Sequence, residues 1–287
     1  MNMAAKQSPF TEQELEEMID QFLAIEGPDE KAFAKLNKFI EFYFSPTLFG
    51  QENIPEGPTM FVGNHAMLGL DGMILMPTIY YHTGRFVRAL ADNAWFQSGA
   101  GAKMQKQGMV LANPAVCSAL MERGEDLLIF PGGAAEANKT AEEKYSLVWR
   151  ERYGFVRMAA QHGYNITPFG LVGPDDWFDH AIEGSELRRS WLGKLLEKRG
   201  IELREDIVPP IPKGIFNTLL PKPQRSYLAF GEPIKVPEYR GKKVPKKVQQ
   251  SVRQETSDKV ESLISDMLLQ QAQQKHTEGR IRRYLTR

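Results

Sequence analysis

Apolar and polar positions change period several times along the chain, and each change predicts an element of secondary structure. Apolar residues at helical spacing predict two amphipathic helices, over about residues 11–26 and 29–44. Thr11 and Glu14 have the pattern of a capping box, which begins the first helix. Apolar runs predict strands at about 59–62, 85–90, 126–130, 165–172 and 227–234, with a short one around Leu111. Further helices are predicted to run to about Tyr81, over 114–123, over 145–162 and from about 248 onward.

The order of these elements predicts the fold class and the divisions of the chain. Strands that alternate with helices are typical of an α/β fold, here with a mostly parallel central sheet flanked by helices. Residues 1–50 are predicted to form an antiparallel pair of amphipathic helices, whose aromatic face packs on the core or rests on a bilayer. Residues 51–247 form the predicted α/β core, with a lid or insertion at about 173–224 that includes a charged helix near 186–199. Residues 248–287 form a predicted C-terminal helix.

A histidine and an aspartate flank the junction between the first predicted strand and the helix that follows it. His65 precedes Asp71 by six positions, which would be roughly 240° apart around a single helix. We therefore expect His65 at a strand end or in a loop, and Asp71 near the start of a helix, with Gly69 turning the chain back. A histidine held by a carboxylate can accept a proton from a hydroxyl. An ordinary hydrogen-bonded pair is the alternative, but the strand-to-helix junction favours a catalytic pair.

A glycine-rich turn after the strand at 126–130 is the second candidate site. Gly132 and Gly133 would let a ligand approach backbone N–H groups, which bind anionic oxygen, and Glu136 adds a carboxylate. An ordinary strand-ending turn is the alternative. The cations in the neighbourhood of these motifs are candidate anion ligands, with surface residues as the alternative interpretation: Arg85, Arg88, Lys144 and Arg152.

The composition is that of a globular protein, with 42% apolar and 25% charged residues and a formal net charge of zero. Acidic residues dominate positions 1–60 and basic residues dominate 235–287. The basic end suits an anionic partner, or the two ends form complementary solvated surfaces. No signal peptide and no apolar run of about 18 residues is present, so we expect a cytoplasmic protein whose membrane contact is peripheral.

Several function classes lack their sequence signatures. Cys117 is the single cysteine, which excludes an internal disulfide and a cysteine-rich metal site. The other histidines have no neighbours at metal-ligand spacing, so no metal is expected. The chain contains no G-x-S-x-G elbow, no Walker A lysine motif and no G-x-G-x-x-G motif. Its C-terminal basic residues are not interleaved with aromatics, which argues against binding of single-stranded nucleic acid.

Several motifs in order resemble those of one enzyme family. Asn64, His65 and Asp71 resemble the NHxxxxD motif of the glycerolipid and lysophospholipid acyltransferases. Residues 84–88 resemble the acceptor-binding block of that family, 130–133 its FPEG block, 166–169 its proline-containing fourth block, and 231–234 the strand that often follows. Gly133 stands where phosphate-acceptor enzymes carry Glu, which is similar to the diacylglycerol-acyltransferase-like PGG branch. The stretch 145–155 is also similar to that branch.

The resemblance implies an activity and a set of site residues. His65 would be the general base on an acceptor hydroxyl that attacks an acyl thioester of CoA or acyl carrier protein, Asp71 would orient it, and no cofactor is implied. The substrate-binding residues that the resemblance implies include the four cations named above: Asn64, Arg85, Arg88, Phe130, Pro131, Gly132, Gly133, Glu136, Lys144, Arg152 and Pro168. The expected partners are the acyl donor, a lipid acceptor and a peripheral membrane surface, with no nucleic acid.

One departure from the family bears on the acceptor. Ala135 stands where many relatives carry an arginine that grips acceptor phosphate, so a neutral or less charged hydroxyl acceptor is favoured. Two further hypotheses stay open at this point. One is a thioesterase that uses the same His–Asp pair on water, and the other is a non-catalytic lipid-binding protein that keeps the fold.

Overall fold

A seven-stranded sheet forms the centre of the computed structural model, which describes residues 9–97, 101–182 and 211–286, together with Glu186 and Ser190. The strands are β1 (Thr47–Phe49), β2 (Thr59–Gly63), β3 (Val87–Ala91), β4 (Met109–Leu111), β5 (Asp126–Ile129), β6 (Asn165–Val172), β7 (Asp179–Ile182), β8 (Ile211–Lys213) and β9 (Tyr227–Phe230). The order across the main sheet is β1-β9-β6-β2-β5-β3-β4, while β7 and β8 form a separate antiparallel pair. Neighbours from β6 to β4 are parallel, β9 is antiparallel to β6, and β1 is parallel to β9. The predicted α/β fold with a mostly parallel sheet is confirmed.

Helices cover both faces of this sheet. They are α1 (Glu12–Leu23), α2 (Glu30–Tyr43), α3 (Asp71–Thr83), α4 (Asn93–Gln97), α5 (Gly101–Gln105), α6 (Pro114–Glu122), α7 (Ala134–Ala137), α8 (Gly154–His162), α9 (Lys246–Gln274) and α10 (Arg280–Leu285). Successive side chains of a strand point to opposite faces, so Met60 and Val62 of β2 pack with α6, α8 and α9, whereas Phe61 packs with α3. β2 is buried on both faces, as expected of a central parallel strand.

The two N-terminal helices form where their caps and periodicity predict, but each packs on a different element. Thr11 accepts a hydrogen bond from the backbone N–H of Glu14 and caps α1, which packs on α6. α2 packs on α3, on the opposite face of the sheet. The predicted antiparallel pair is therefore wrong, because the sheet separates the two apolar faces. β1 lies within the predicted N-terminal segment and joins the main sheet, while the division of the chain at residues 50 and 247 stays a prediction.

The helix predicted over 145–162 begins only at Gly154. Tyr145 and Arg150 have positive φ angles of 62° and 48°, a left-handed conformation that a right-handed helix does not contain. Residues 145–153 are therefore a loop, and this loop reaches the candidate site. The charged helix predicted near 186–199 lies outside the described residues, apart from Glu186 and Ser190.

Where the chain is described, none of its helices is both long and apolar enough to span a bilayer.

Candidate active site

His65 and Asp71 meet just beyond the carboxyl end of β2. β2 ends at Gly63, and a 3₁₀ turn over Met67–Gly69 brings the chain back so that Asp71 is the first residue of α3. Gly69 has a φ of +65°, and a Cβ there would lie 3.4 Å from His65 Nε2, so glycine both permits the turn and leaves that nitrogen uncovered. His65 Nδ1 is 2.9 Å from Asp71 Oδ2.

The carboxylate of Asp71 is held from several directions. It is fully buried, and it accepts backbone hydrogen bonds from Ala66 at 2.6 Å and from Gly72 at 3.0 Å. Because an ionised carboxylate only accepts, the hydrogen bond to His65 assigns the proton of the neutral imidazole to Nδ1 and leaves Nε2 as an acceptor. This is the arrangement of a general base with an orienting carboxylate.

The surroundings of His65 oppose one another in their effect on its pKa. Burial lowers the pKa of the imidazole, since its side chain is only 15% exposed, and the charge of Lys139 lowers it too. The negative charges of Asp71 and Glu136 outweigh both effects, so the pKa of His65 is raised. Phe130 stacks on the imidazole with ring centroids 4.2 Å apart and an interplanar angle of 14°. The ring of Phe130 therefore covers one face of the base.

The glycine turn lies beside this pair. The side chain of Glu136 occupies the space where a Cβ of residue 132 would be, so only glycine fits there. Gly133 has a φ of +51°, and its N–H donates to the carbonyl of Phe130 at 3.0 Å. Nη1 of the exposed Arg152 lies 2.9 Å from the position that a Cβ of residue 133 would take. Arg152 thus reaches the predicted anion-binding turn, and Pro131 is buried beneath it.

Glu136 is a fully buried carboxyl group within the site. Neither of its oxygens has a hydrogen-bond partner of standard geometry among the described residues, although the backbone N–H of His65 is close enough to favour the charged form. Burial raises the pKa of Glu136 to about 7, against the charges of Lys139 and His65, which lower it. Near neutral pH this carboxyl is therefore divided between its two forms.

A buried ion pair that the sequence does not predict supports the backbone of residues 65–71, the candidate catalytic turn. Lys139 Nζ lies 2.6 Å from Asp175 Oδ2 and donates to the carbonyl of His65 at 3.0 Å. Asp175 also accepts the backbone N–H groups of Met67 at 3.0 Å and Tyr145 at 2.8 Å. Asp175 follows the carboxyl end of β6, where sites of parallel sheets form, and this position was the available signal.

Lys144 binds a carboxylate of the chain itself. Its Nζ lies 3.2 Å from Asp176 Oδ1, and Asp176 Oδ2 accepts the hydroxyl of Tyr145 at 2.7 Å. Lys144 and Asp176 line a polar cavity of about 230 Å³ that extends to the end of α9 and does not include His65. The structure therefore places Lys144 beside the site loop, with its charge already paired.

Two of the predicted anion ligands lie far from His65. Arg85 makes a bidentate ion pair with Asp126, at 2.6 Å for both bonds, and Asp126 also accepts the N–H of Thr59. Asp126 and Thr59 are the first residues of β5 and β2, so Arg85 is at the amino end of the sheet, about 13 Å along β2 from Gly63 at its carboxyl end. Contrary to the expectation that it binds substrate, the structure does not bring Arg85 to the candidate site, because it joins the starts of two strands.

The structure does not bring Arg88 to the candidate site either, since its guanidinium is fully buried. It donates to the carbonyls of Phe22 at 2.7 Å and Ile25 at 2.8 Å, and to Glu125 at 2.8 Å. Arg88 therefore fastens the end of α1 to the sheet.

Two further predicted ligands belong to the sheet. The amide of Asn64 donates to the carbonyl of Leu171 and accepts its N–H, both at 2.8 Å, so it extends the pairing of β2 with β6, and its side chain is buried. Pro168 is buried in the middle of β6, where it has no N–H to offer β9, and the regular ladder with β9 ends at the adjacent Phe169. Both residues position the catalytic turn and do not reach its surface.

The spacing of the pair departs from the motif that it resembles. Five residues separate His65 from Asp71, one more than the four of NHxxxxD. The turn over Met67–Gly69 accommodates the additional residue. No group of three or more histidine, cysteine, aspartate or glutamate side chains in the described residues is arranged to hold a metal ion.

The fold is thus a mostly parallel α/β sheet that carries a carboxylate-bound histidine and a glycine turn at the carboxyl ends of its strands. A model of the diacylglycerol acyltransferase family matches residues 34–269. This match covers most of the chain, and the chain belongs to the diacylglycerol acyltransferase family. The predicted membership of a glycerolipid acyltransferase family is confirmed.

Several known proteins are similar to parts of the chain. Phytyl ester synthase 2 of Arabidopsis thaliana, a chloroplastic protein, is 31% identical over 64% of this chain and 28% of its own length. An uncharacterised protein of Mycobacterium tuberculosis is 29% identical over 71% of this chain and 56% of that protein. The "DGAT1/2-independent enzyme synthesizing storage lipids" of Homo sapiens is 31% identical over 50% of this chain and 44% of that protein. The chain thus spans less than a third of the length of the phytyl ester synthase.

A search of solved structures found the 1-acyl-sn-glycerophosphate (LPA) acyltransferase of Thermotoga maritima. Its crystal structure is 17% identical, covers 86% of this chain and 88% of its own, and superposes with a TM-score of 0.47.

Proposed function

We propose that this protein is an O-acyltransferase that moves a fatty acyl group from a thioester of CoA or acyl carrier protein to the hydroxyl of a lipid-like acceptor. The observation that carries the proposal is the 2.9 Å hydrogen bond between His65 Nδ1 and the buried Asp71, which leaves Nε2 as a base. The membership of a lipid acyltransferase family supports the same reaction.

The reaction follows from the state of His65. Nε2 accepts the proton of the acceptor hydroxyl as its oxygen attacks the thioester carbonyl. Asp71 stabilises the imidazolium that results, and the tetrahedral intermediate collapses when the C–S bond breaks. The imidazolium then returns its proton to the leaving thiolate, so base and proton are restored in each cycle. Backbone N–H groups of the glycine turn would stabilise the negative oxygen.

The charges in the site favour an acceptor without a phosphate. Lys139 is paired with Asp175, and Ala135 provides no charge. Glu136 adds a buried carboxyl beside His65, which would repel an acceptor phosphate when ionised. The exposed Arg152 suits a phosphate of the donor, since CoA and acyl carrier protein share a phosphopantetheine arm. Relatives named phytyl ester synthases agree with an acceptor that is an uncharged alcohol.

A lipid acceptor requires contact with a membrane or lipid aggregate, and we propose that this contact is peripheral. Since acyl-CoA or acyl carrier protein would be the donor, we also propose that the site is exposed to the cytoplasmic pools of these donors.

Release of free thiol from an acyl thioester tests the proposal directly. His65→Ala is expected to lower acceptor-dependent thiol release by about 10²–10⁴-fold, because it removes the base. His82→Ala is the matched control, since His82 also contacts a carboxylate, Glu41 at 3.1 Å, but on the exposed surface of α3. Undiminished transfer by His65→Ala would contradict the proposal. Thiol release that needs no acceptor and yields free fatty acid would identify a thioesterase, and lipid binding without turnover by the wild type would identify a binding protein.

A further inference from the structure

Large apolar side chains on three separate segments point into solvent at one side of the molecule. The segments are the end of α2, a hairpin over residues 214–220 and α10. We call these side chains the docking face: Phe42, Phe216, Leu219, Leu220, Ile281 and Tyr284, all exposed. Phe42 is 81% exposed, Phe216 74% and Ile281 77%, although residues of this size usually bury most of their surface.

Hydrogen bonds bring the three segments together at the end of α2. The hydroxyl of Tyr43 donates to the carbonyl of Pro221 at 2.6 Å, which anchors the base of the hairpin. Arg282 of α10 donates to the carbonyls of Phe42 and Tyr43, both at 3.2 Å. A cation at the carboxyl end of a helix is also stabilised by the helix dipole. The exposed apolar residues therefore form one surface.

The hairpin holds its apolar side chains outward at a conformational cost. Its ends are joined by backbone hydrogen bonds from Gly214 to Thr218 at 2.7 Å and from Ile215 to Leu220 at 2.8 Å. Phe216 has φ and ψ of 52° and 33°, a left-handed conformation that is unfavourable for a bulky residue. Burial of its ring within the chain does not offset this cost, because the ring is exposed.

Helix α10 has the pattern of a helix at a membrane surface. Ile281 and Tyr284 are three positions apart and share one side, and each follows an exposed arginine, Arg280 or Arg283. Arginines that border an apolar stripe bind lipid phosphates while the stripe enters the acyl region.

The docking face is continuous with the catalytic turn. Beneath α2, Ile40 and Phe44 belong to an apolar cluster that includes Trp177 and Met67. Phe44 and Trp177 stack with ring centroids 4.2 Å apart, and Met67 lies in the turn between His65 and Asp71. One apolar cluster thus extends from the underside of α2, beside the docking face, to the turn between His65 and Asp71.

We propose that the docking face binds an anionic lipid bilayer through the hairpin and α10, and so presents the catalytic turn to acceptor lipid. The purpose of this surface rests on the proposed function, but its existence is tested without turnover. Apolar tips on three segments, bordered by arginines, favour a lipid surface over a protein partner.

Co-sedimentation with vesicles of phosphatidylcholine and about one third phosphatidylglycerol is the test. Phe216→Ser/Leu219→Ser and, separately, Ile281→Ser/Tyr284→Ser are expected to weaken vesicle binding by at least about tenfold, since each removes two large side chains from the apolar contact. Arg280→Gln/Arg283→Gln is expected to weaken binding to these vesicles but not to phosphatidylcholine alone. Leu269→Ser is the matched control, because Leu269 is similarly exposed on α9, which covers the opposite face of the sheet.

Wild-type sedimentation with vesicles, lost in both double variants and kept in Leu269→Ser, would support the proposal. Equal binding by all variants, no binding by the wild type, or self-association that depends on the same residues without vesicles would overturn it. Thermal unfolding of each variant separates loss of binding from loss of fold. His65→Ala should bind vesicles like the wild type, so failure of the docking proposal is distinguishable from failure of the proposed activity.

Discussion

Replacing Lys139 by methionine tests whether the buried ion pair supports the catalytic turn. Lys139 and Asp175 are almost fully buried and lie 2.6 Å apart, and the lysine also donates to the carbonyl of His65. Lys139→Met keeps the length and apolar stem of the side chain and removes the charge. Asp175 would then be a buried carboxylate that retains only its backbone donors, Met67 and Tyr145.

The expected loss of stability in Lys139→Met follows from the burial of the ion pair. Removing one partner of a buried ion pair typically costs about 3–5 kcal/mol, because the remaining charge stays desolvated. The lost hydrogen bond to His65 is part of this cost and is not added to it. Lys144→Met is the matched control: Lys144 and Asp176 are 3.2 Å apart and each is 27% exposed, so we expect at most about 1 kcal/mol after solvent screening.

Urea unfolding of Lys139→Met, Asp175→Asn and the double variant gives a double-mutant cycle. The double variant is expected to cost at least about 2 kcal/mol less than the sum of the single variants, since neither charge is left alone. Lys139 also lowers the pKa of both Glu136 and His65, so Lys139→Met should shift the acidic limb of the activity profile to higher pH. Additive single effects, or a cost no larger than that of Lys144→Met, would refute the reasoning.

Three further predictions follow from the pKa shifts and from the corrected positions. Activity should rise with pH through the raised pKa of His65. Asp71→Asn should lower both the rate and this pKa, because the charge of Asp71 raises the pKa of His65 more than any other group does. A pH profile of kcat/KM that keeps its midpoint in the variant would contradict this. The folded pKa of Glu136 is about 7 against an ordinary 4.5, so the folded state holds the extra proton between these values. Its contribution to stability should fall by roughly 3 kcal/mol as pH rises through that window. Glu136→Gln should remove this contribution, measured by unfolding at pH 5 and pH 8, and leave the smaller decrease that comes from the raised pKa of His65. Arg85→Leu should cost about 3 kcal/mol of stability by leaving Asp126 without its ion pair, while kcat per folded molecule is unchanged; a specific loss of kcat would return Arg85 to the site.

Local pattern was enough to predict most strands of the main sheet and the position of the His65–Asp71 pair. The apolar run of β2, the glycine at 69 and the apolar start of α3 are neighbours in the chain, so periodicity and backbone preferences together place His65 beside Asp71. The same holds for the buried strand β5 and the glycine turn that ends it.

The partners of the charged residues depended on the tertiary structure. Arg85, Arg88 and Lys139 carry the same sign, yet one joins the amino ends of two strands, one fastens α1, and one supports the turn of His65. A side chain's chemistry does not specify which distant carboxylate or carbonyl the fold will bring to it. The positive φ angles of Tyr145 and Arg150, which exclude a helix before Gly154, belong to a loop that a distant residue also holds, because Asp175, after β6, accepts the backbone N–H of Tyr145. Short-range periodicity therefore determines most of the elements and the pairing of His65 with Asp71, whereas long-range packing determines which charges remain for a substrate.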